Sequence, residues 1–403
     1  MDSVTTAASP TTATTDTSTS YPANSGGHPA RGGRPPDAPL IPGYAADADR
    51  ALDGFLRDAQ KRAITLSPRF AHLWEEIARL TAGGKRLRPA LVQMTARAYS
   101  GQRGADDDDR ASPAFPPSPW QAVGAVGAAF ELLHTALIIH DDVIDRDDVR
   151  RHEPTLHAAA QSEALGAGSP PERAEHHGRS VAIIAGDLAL AGAHRLVATA
   201  GLPADVLDPV LALLDEAVFA SAAGELLDIE NALGVDVPPV GSVLSATQLK
   251  TSVYSFEAPL KAGAILMGAP SDQVRQLGAI GRGLGLAFQL ADDLLGVFGS
   301  GESTGKSTDG DLREGKHTLL IAEAVRSGAG PELLDLLRGG DPSPEQLQRA
   351  RKLLECSGAR AAVEALARES ADQAVAVARA ADLPGELVAE LESTAKTAVE
   401  RIR

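Results

Sequence analysis

The stretch that decides the fold is Glu131-Leu-Leu-His-Thr-Ala-Leu-Ile-Ile-His-Asp-Asp-Val-Ile-Asp145, an apolar run that ends in three carboxylates. On a helix, Asp141 and Asp145 are one turn apart on the same face, about 6 Å along the axis. Carboxylates so close repel each other, and a divalent cation removes that repulsion. Carboxylates on one turn, with room for water and phosphate oxygens, suit Mg²⁺. For a single cluster of this kind, a solvated acidic face is the alternative interpretation.

A second acidic cluster favours the metal interpretation. It lies in Phe288-Gln-Leu-Ala-Asp-Asp-Leu-Leu-Gly296, again after an apolar helical stretch and about 150 residues further along the chain. Two such clusters at the ends of long helices can face each other across one cavity. A shared cavity would bring Asp292 and Asp293 towards the site that begins at Asp141.

Composition and charge narrow the class of protein. Only 3% of the 403 residues are aromatic, and apolar residues recur at i, i+3 and i+4, which predicts an all-α fold. The net charge of −16 argues against a nucleic-acid surface. Cys356 is the single cysteine, so an internal disulfide is excluded and a cytoplasmic location is expected. No uninterrupted apolar run reaches transmembrane length, because Asp187 interrupts the stretch 181–193.

The chain divides into a tail and one domain. Residues 1–40 are rich in Thr, Ser, Ala, Pro and Gly, and we expect them to be disordered. Residues 41–403 are expected to form the domain, with polar loop insertions near 101–119 and 161–178.

A basic motif, Gly83-Gly-Lys-Arg-Leu-Arg-Pro89, precedes a predicted helix. Glycines before a helix let backbone N–H groups approach an anion, and the helix N-terminus favours negative charge. Lys85 and Arg88 can add charge-assisted bonds to the same phosphate. Taken alone, the motif is equally compatible with a basic capping loop; beside the acidic motifs, phosphate binding is favoured.

With these motifs in order from Gly83 to Lys316, the sequence resembles the trans-isoprenyl diphosphate synthases, the polyprenyl synthetase family, and among them the geranylgeranyl diphosphate synthases. The resemblance implies a single-domain, all-α bundle of about ten or more antiparallel helices around a central cavity. It also implies a homodimer that condenses isopentenyl diphosphate with an allylic diphosphate, using three Mg²⁺ ions in each active site.

The resemblance assigns roles by position. The catalytic residues it implies are Asp141, Asp145, Lys250, Thr251, Gln289 and Asp292. The metal ligands it implies are Asp141, Asp142, Asp145, Asp292 and Asp293. The substrate-binding residues it implies are Gly84, Lys85, Arg88, His134, Arg150, Arg151, Lys306 and Lys316. In Gly224-Glu-Leu-Leu-Asp228 the aspartate either supports the metal cluster or belongs to a surface carboxylate pair. The sequence departs from the family pattern at His152 and Gly296.

Product length is expected to depend on the face of the first acidic helix that carries Ala136, Leu133 and Phe130. Farnesyl-making relatives often place an aromatic residue where Ala136 stands. The small side chain here lets the product grow further, and Leu133 with Phe130 below it can stop the chain one isoprene later. We therefore expect geranylgeranyl diphosphate, with a longer product as the main alternative and farnesyl diphosphate as another.

Two other functions compete with this interpretation. A class I terpene cyclase would line its cavity with aromatic residues, which are scarce here. A non-catalytic partner subunit of a heteromeric synthase would lose acidic or basic motif residues, and here only His152 and Gly296 deviate. Turnover by the purified chain alone separates the second alternative from an active synthase.

Overall fold

The computed structural model describes residues 41–101, 119–233, 237–299, 310–313, 316–337 and 342–401. These residues belong to one compact unit, and most of them are helical, so the predicted all-α fold is confirmed. The predicted tail (1–40), residues 102–118 of the first predicted loop insertion, and Lys306 lie outside the described residues.

The described elements follow one another with short connections. In chain order they are α1 (Ala46–Ile64), α2 (Pro68–Ala82), α3 (Leu87–Ser100), α4 (Pro119–Asp145), β1 (Val149–Arg150), β2 (Glu153–Pro154), α5 (Leu156–Gly166), α6 (Pro171–Ala198), α7 (Ala204–Leu233), α8 (Val240–Thr247), a π-helix (Gln248–Glu257), α9 (Ala258–Leu266), α10 (Ser271–Phe298), α11 (Gly310–Arg313), α12 (Leu319–Arg326), α13 (Gly330–Leu337), α14 (Pro344–Cys356), α15 (Ala359–Ala380) and α16 (Gly385–Glu400). The two strands pair antiparallel as a short hairpin.

Local sequence explains where several helices begin. Ser67 caps α2 by accepting a hydrogen bond from the backbone N–H of Phe70, and Pro68 occupies the first helical position. Ser343 and Gln346 form a reciprocal capping box at the start of α14. These caps satisfy N–H groups that a helix leaves without intrahelical partners.

The core is built around α4. This helix packs against α1, α3 and α6. Phe130, Leu132 and Leu133 are completely buried in the main hydrophobic cluster. A helix that is apolar on most of its circumference is stable only when neighbours cover it. The acidic motif at its C-terminal end therefore lies at the edge of a rigid core.

Within the described part of the chain, two helices, α4 and α6, are long and apolar enough to span a membrane by length and composition alone. In α4 most of the apolar stretch is buried inside the fold, as in the core helix of a globular protein, whereas less than half of the stretch in α6 is buried. Two such helices are weak evidence for a membrane span. The exposed part of α6 nevertheless leaves an apolar surface that carries Ile183 and Ile184.

The prediction of a polar loop at 161–178 is wrong. α5 continues to Gly166 and α6 begins at Pro171, so only a short turn separates them. The two helices pack so closely that a Cβ on Gly178 would overlap the backbone oxygen of His157. Their polar residues face outward; in α5 only Leu156 and His157 are buried. Polar composition here reflects a solvated helix surface and not an irregular chain.

Candidate active site

The last turn of α4 brings two carboxylates together with a third from α7. One carboxylate oxygen from each of Asp141, Asp145 and Glu225 lies within 4.8 Å of the other two. Oε1 of Glu225 is buried and has no hydrogen-bond partner among the described residues, which leaves it available to a cation. Acceptor-only oxygens at this spacing fit Mg²⁺, which binds a few carboxylates and keeps the remaining positions for water or phosphate.

Lys250, in the π-helix, lies at the edge of this three-carboxylate group. Its Nζ is 2.9 Å from Asp141, 2.8 Å from Glu225 and 3.0 Å from Asp228. Burial alone would lower the pKa of Lys250, but the surrounding carboxylates raise it above its ordinary value. The ammonium therefore stays charged in a largely buried place.

The π-helix that carries Lys250 fits into slots left by glycines of neighbouring helices. A Cβ on Gly224 of α7 would lie 2.7 Å from Cα of Lys250, and one on Gly285 of α10 would lie 2.6 Å from Cβ of Ser252. The π-helix interrupts an otherwise α-helical stretch between α8 and α9. The wider π-helical turn is a difference of the kind that occurs frequently at functional sites.

The pKa values of Asp141 and Asp145 shift in opposite directions, although the nearby cations lower both. Burial would raise the pKa of Asp141, but Lys250, Arg150 and Lys316 together hold it below its ordinary value. Burial and the charge of Asp141 raise the pKa of Asp145, although Nζ of Lys316 lies 2.6 Å from its Oδ2. The charge of Asp141 raises the pKa of Asp145 because the two carboxylates repel each other. A divalent cation between them would relieve this repulsion.

Asp142 faces a different partner. It is buried and accepts a hydrogen bond from Nε of Arg150, whose Nη2 also lies 3.0 Å from Asp141 and 3.4 Å from Asp147. Burial raises the pKa of Asp142 to about 6. Asp142 lies outside the three-carboxylate group, so its role as a metal ligand stays a prediction.

The β1–β2 hairpin places the two predicted arginines. Its turn residues, Arg151 and His152, both have positive φ, of 55° and 65°. Positive φ at both turn positions is the geometry of the tightest hairpins, and it usually selects glycine or asparagine. His152, where the family pattern has glycine, adopts this backbone. Arg150, at the end of β1, contacts Asp142. Arg151, in the turn, lies over the basic motif: a Cβ on Gly83 would be 2.6 Å from Nη1 of Arg151.

An anion pocket surrounds His134, two turns before Asp141 on α4. Burial lowers the pKa of His134 well below its ordinary value, and four nearby guanidinium groups lower it further: Arg88, Arg151, Arg150 and Arg86. The imidazole is therefore neutral. The positive charge of this anion pocket suits a diphosphate, although Arg150 and Arg86 also pair with carboxylates.

Tyr254, four residues after Lys250 in the π-helix, connects this pocket to the helix that carries Lys250. Its hydroxyl lies 3.2 Å from Nδ1 of His134 and accepts a hydrogen bond of 3.2 Å from Arg88. Arg88 also donates to Ser255 at 2.7 Å, and its guanidinium stacks over the Tyr254 ring. Gly84, in the basic motif, has a φ of +101° that favours glycine. Lys85 follows it in the same loop.

The second acidic motif is held by its own contacts. Asp292 forms an ion pair of 2.6 Å with Arg401, and Asp293 accepts a hydrogen bond of 2.8 Å from Gln289. Within the described residues, the three-carboxylate group does not include Asp292 or Asp293. Their part in metal binding, and the catalytic roles of Gln289 and Thr251, stay predictions.

The predicted product-length residues lie in the core. Phe130 and Leu133 are completely buried, and Ala136 almost completely. All three belong to the main hydrophobic cluster. Their effect on product length stays a prediction.

Glu225 is the site residue that the sequence reasoning missed. Glu225 and Asp228 share one face of α7 at i and i+3, and only the aspartate was linked to the metal cluster. In the structure the roles differ: Glu225 joins the carboxylate group, whereas Asp228 contacts Lys250. The glutamate directly after Gly224 was the available signal.

Comparisons with known proteins agree with this geometry. The family model described as polyprenyl synthetase matches residues 71–354. The chain is 34% identical over 294 residues to a geranylfarnesyl diphosphate synthase of Aeropyrum pernix, covering 72% of this chain and 81% of that protein. It is 33% identical over 325 residues to a (2E,6E)-farnesyl diphosphate synthase of Mycobacterium tuberculosis, covering 79% and 80%.

A solved structure is also similar. It is a geranylgeranyl pyrophosphate synthase of Corynebacterium glutamicum in complex with isoprenyl diphosphate and magnesium, with a TM-score of 0.79 and 29% identity, covering 89% of this chain and 99% of that one. The matched segment contains both acidic motifs, the basic motif and Lys250. The chain thus belongs to the polyprenyl synthetase family, the trans-isoprenyl diphosphate synthases, and is a prenyltransferase.

Proposed function

We propose that this enzyme condenses isopentenyl diphosphate with an allylic diphosphate to give geranylgeranyl diphosphate. The observation that carries the proposal is the placement of a carboxylate group and a pocket of arginines along one helix. The three-carboxylate group with Lys250 lies at the end of α4, and the pocket of arginines around His134 lies seven residues earlier. Seven helical residues span about 10 Å, which suits two diphosphates bound side by side.

Each site has a distinct task in the reaction. Asp141, Asp145 and Glu225 would hold Mg²⁺, which when bound supplies positive charge to the departing allylic diphosphate. We infer that the full site holds three such ions. Lys250 and Lys316 would add charge on the same side.

The arginine pocket would hold the second substrate. Arg88, Arg151 and the backbone of Gly84 would fix the diphosphate of isopentenyl diphosphate, with neutral His134 as a further hydrogen-bond donor. Fixed cations that need no reorganisation lower the barrier to charge separation, and aligned substrates remove the entropic cost of their encounter.

Product length is tested by changing the proposed floor. The names of the similar proteins specify three different products, so membership of the family leaves the length open. We expect Ala136→Phe to shift the product towards farnesyl diphosphate, because an aromatic ring would fill the space beside α4. Leu133→Ala should lengthen the product. Mass spectrometry of the extracted products measures both, and an unchanged length in Ala136→Phe would show that this face is not the floor.

An active synthase needs no second kind of subunit. The alternative of a non-catalytic partner predicts no turnover by the purified chain with both diphosphates and Mg²⁺. The intact carboxylate group and the charged Lys250 favour an active chain.

We further propose a homodimer that acts in the cytoplasm. Phe219, Leu226 and Leu233 on α7 are more than half exposed and recur every seven residues, which places them in one apolar stripe. An exposed stripe of this kind suits pairing with a second copy around a two-fold axis. The single cysteine, Cys356, is consistent with a reducing compartment.

A further inference from the structure

Arg86 lies in the basic motif, but Nε and Nη1 of its guanidinium donate to acceptors of the protein. Nη1 donates to the backbone oxygens of Thr81, at 2.6 Å, and Gly83, at 3.1 Å. Nη1 also donates to Oε1 of Glu131 at 3.1 Å, and Nε donates to Asp49 at 2.7 Å. One side chain thus joins the end of α2 and the loop to α1 and α4.

The contact with Glu131 is buried. The side chain of Arg86 is 16% exposed and that of Glu131 is 4% exposed. The second carboxylate oxygen of Glu131 has no hydrogen-bond partner among the described residues. Removing either partner of such a pair would leave a buried charge without compensation. Glu131 is one turn before His134, so the pair fixes the loop against the same part of α4 that lines the anion pocket.

The backbone of Arg86 also needs this support. Its φ of 50° and ψ of 34° are left-handed, and its side chain does not cap α3. A residue other than glycine in this region is strained, by about 1 kcal/mol or more. Arg86 lies between Lys85 and Arg88, so its conformation sets the directions in which those two side chains leave the loop.

We infer that Arg86 and Glu131 form a buried clamp that positions the basic motif for the diphosphate of isopentenyl diphosphate. Arg86 is a positioning residue, because its Nε and Nη1 donors contact protein oxygens. The inference rests on the proposed function, in which Gly84, Lys85 and Arg88 bind that diphosphate. The clamp acts on one substrate only, since the allylic diphosphate binds at the carboxylate group.

Steady-state kinetics with each substrate varied in turn tests the clamp. We expect Arg86→Ala to raise the KM for isopentenyl diphosphate by about tenfold or more, as for loss of a hydrogen bond to a charged group. The KM for the allylic diphosphate should stay within about twofold, because no clamp contact reaches that site. Glu131→Gln should produce the same selective change. Arg50→Ala, which removes an exposed arginine of α1, is the matched control and should change neither constant.

Chemical rescue separates positioning from general damage. A cleft of about 500 Å³ between α1 and α2 is lined by Asp49, Thr81 and Arg86. In Arg86→Ala this cleft would give a free guanidinium ion access to Glu131. Millimolar guanidinium chloride should therefore lower the raised KM of Arg86→Ala, but not that of Glu131→Gln, which keeps its own guanidinium. Arg86→Lys keeps the charge and should show a smaller change, which provides a second variant if Arg86→Ala does not fold.

The outcomes are distinct. If the wild type fails to turn over the two diphosphates, the proposed function is wrong. If the wild type is active but folded Arg86→Ala keeps the wild-type KM for isopentenyl diphosphate, only the clamp is wrong. Equal rises in both KM values, or no response to guanidinium, would reduce Arg86 to a structural residue and also overturn the inference.

Discussion

At the scale of single residues, Glu225 decides how the metal group is completed. Glutamine has nearly the shape of glutamate but lacks its charge, so we expect Glu225→Gln to weaken Mg²⁺ binding by on the order of tenfold, equivalent to about 1.4 kcal/mol. Calorimetric titration of Mg²⁺ into the protein with inorganic pyrophosphate measures this without turnover. Glu216→Gln, an exposed change on the same helix, is the control. Equal Mg²⁺ affinities for the wild type and Glu225→Gln would contradict the assignment.

The same residues show what a sequence can predict about a site. Asp141 and Asp145 were identified because they share one helical turn, where spacing along the chain fixes distance in space. Glu225 lies 80 residues beyond Asp145, and its approach depends on how α7 packs against the π-helix and α6. Arg86 received no role from the sequence, although it lies in the basic motif; its buried contact with Glu131 is a product of tertiary structure.

At the scale of elements, the π-helix must keep its place for Lys250 to reach the carboxylates. Gly224 permits this, because a side chain there would meet the backbone of Lys250. We expect Gly224→Ala to destabilise the fold by about 1–3 kcal/mol, as overpacking does, and to lower kcat by displacing the ammonium. Urea denaturation gives the first quantity and initial rates give the second.

Gly166 supplies the matched control for this change. It lies in the last turn of α5, and a Cβ there would meet nothing within 4 Å. Because alanine favours a helix by up to about 1 kcal/mol over glycine, Gly166→Ala should leave activity unchanged and stability equal or higher. If Gly224→Ala behaved in the same way, the slot would not hold the π-helix.

Helices were predictable from the sequence where the segment is long and apolar, as in α4, or where apolar residues recur at helical spacing, as in α10. The stretch 161–178 misled because α5 and the start of α6 expose most of their residues. Glu175 and Arg179 in α6 form a surface ion pair at i and i+4. Such a pair is a weak helical signal, and the polar composition of the region obscures it. The π-helical turn gave no signal at all, because it depends on glycines of α7 and α10.

At the scale of the whole molecule, the α7 stripe links assembly to the active site. Phe219 and Leu226 face outward, whereas Glu225, one position before Leu226, faces the carboxylate group. Residues next to each other on a helix point about 100° apart. A partner seated on the stripe would therefore support α7 from outside while its other side holds the metal ligand.

This arrangement predicts that losing the partner weakens the metal site. The double variant Phe219→Asp, Leu226→Asp places charges in the proposed interface, so light scattering should give the mass of one 41.6 kDa chain instead of twice that mass. Leu66→Asp, a change away from α7 at a leucine at least as exposed as Phe219 and Leu226, should keep the dimer. The monomeric variant should bind Mg²⁺ more weakly than the wild type, because α7 loses its external support. A monomeric wild type would refute the dimer, and a monomeric variant with unchanged Mg²⁺ affinity would show that α7 holds Glu225 in place without a partner.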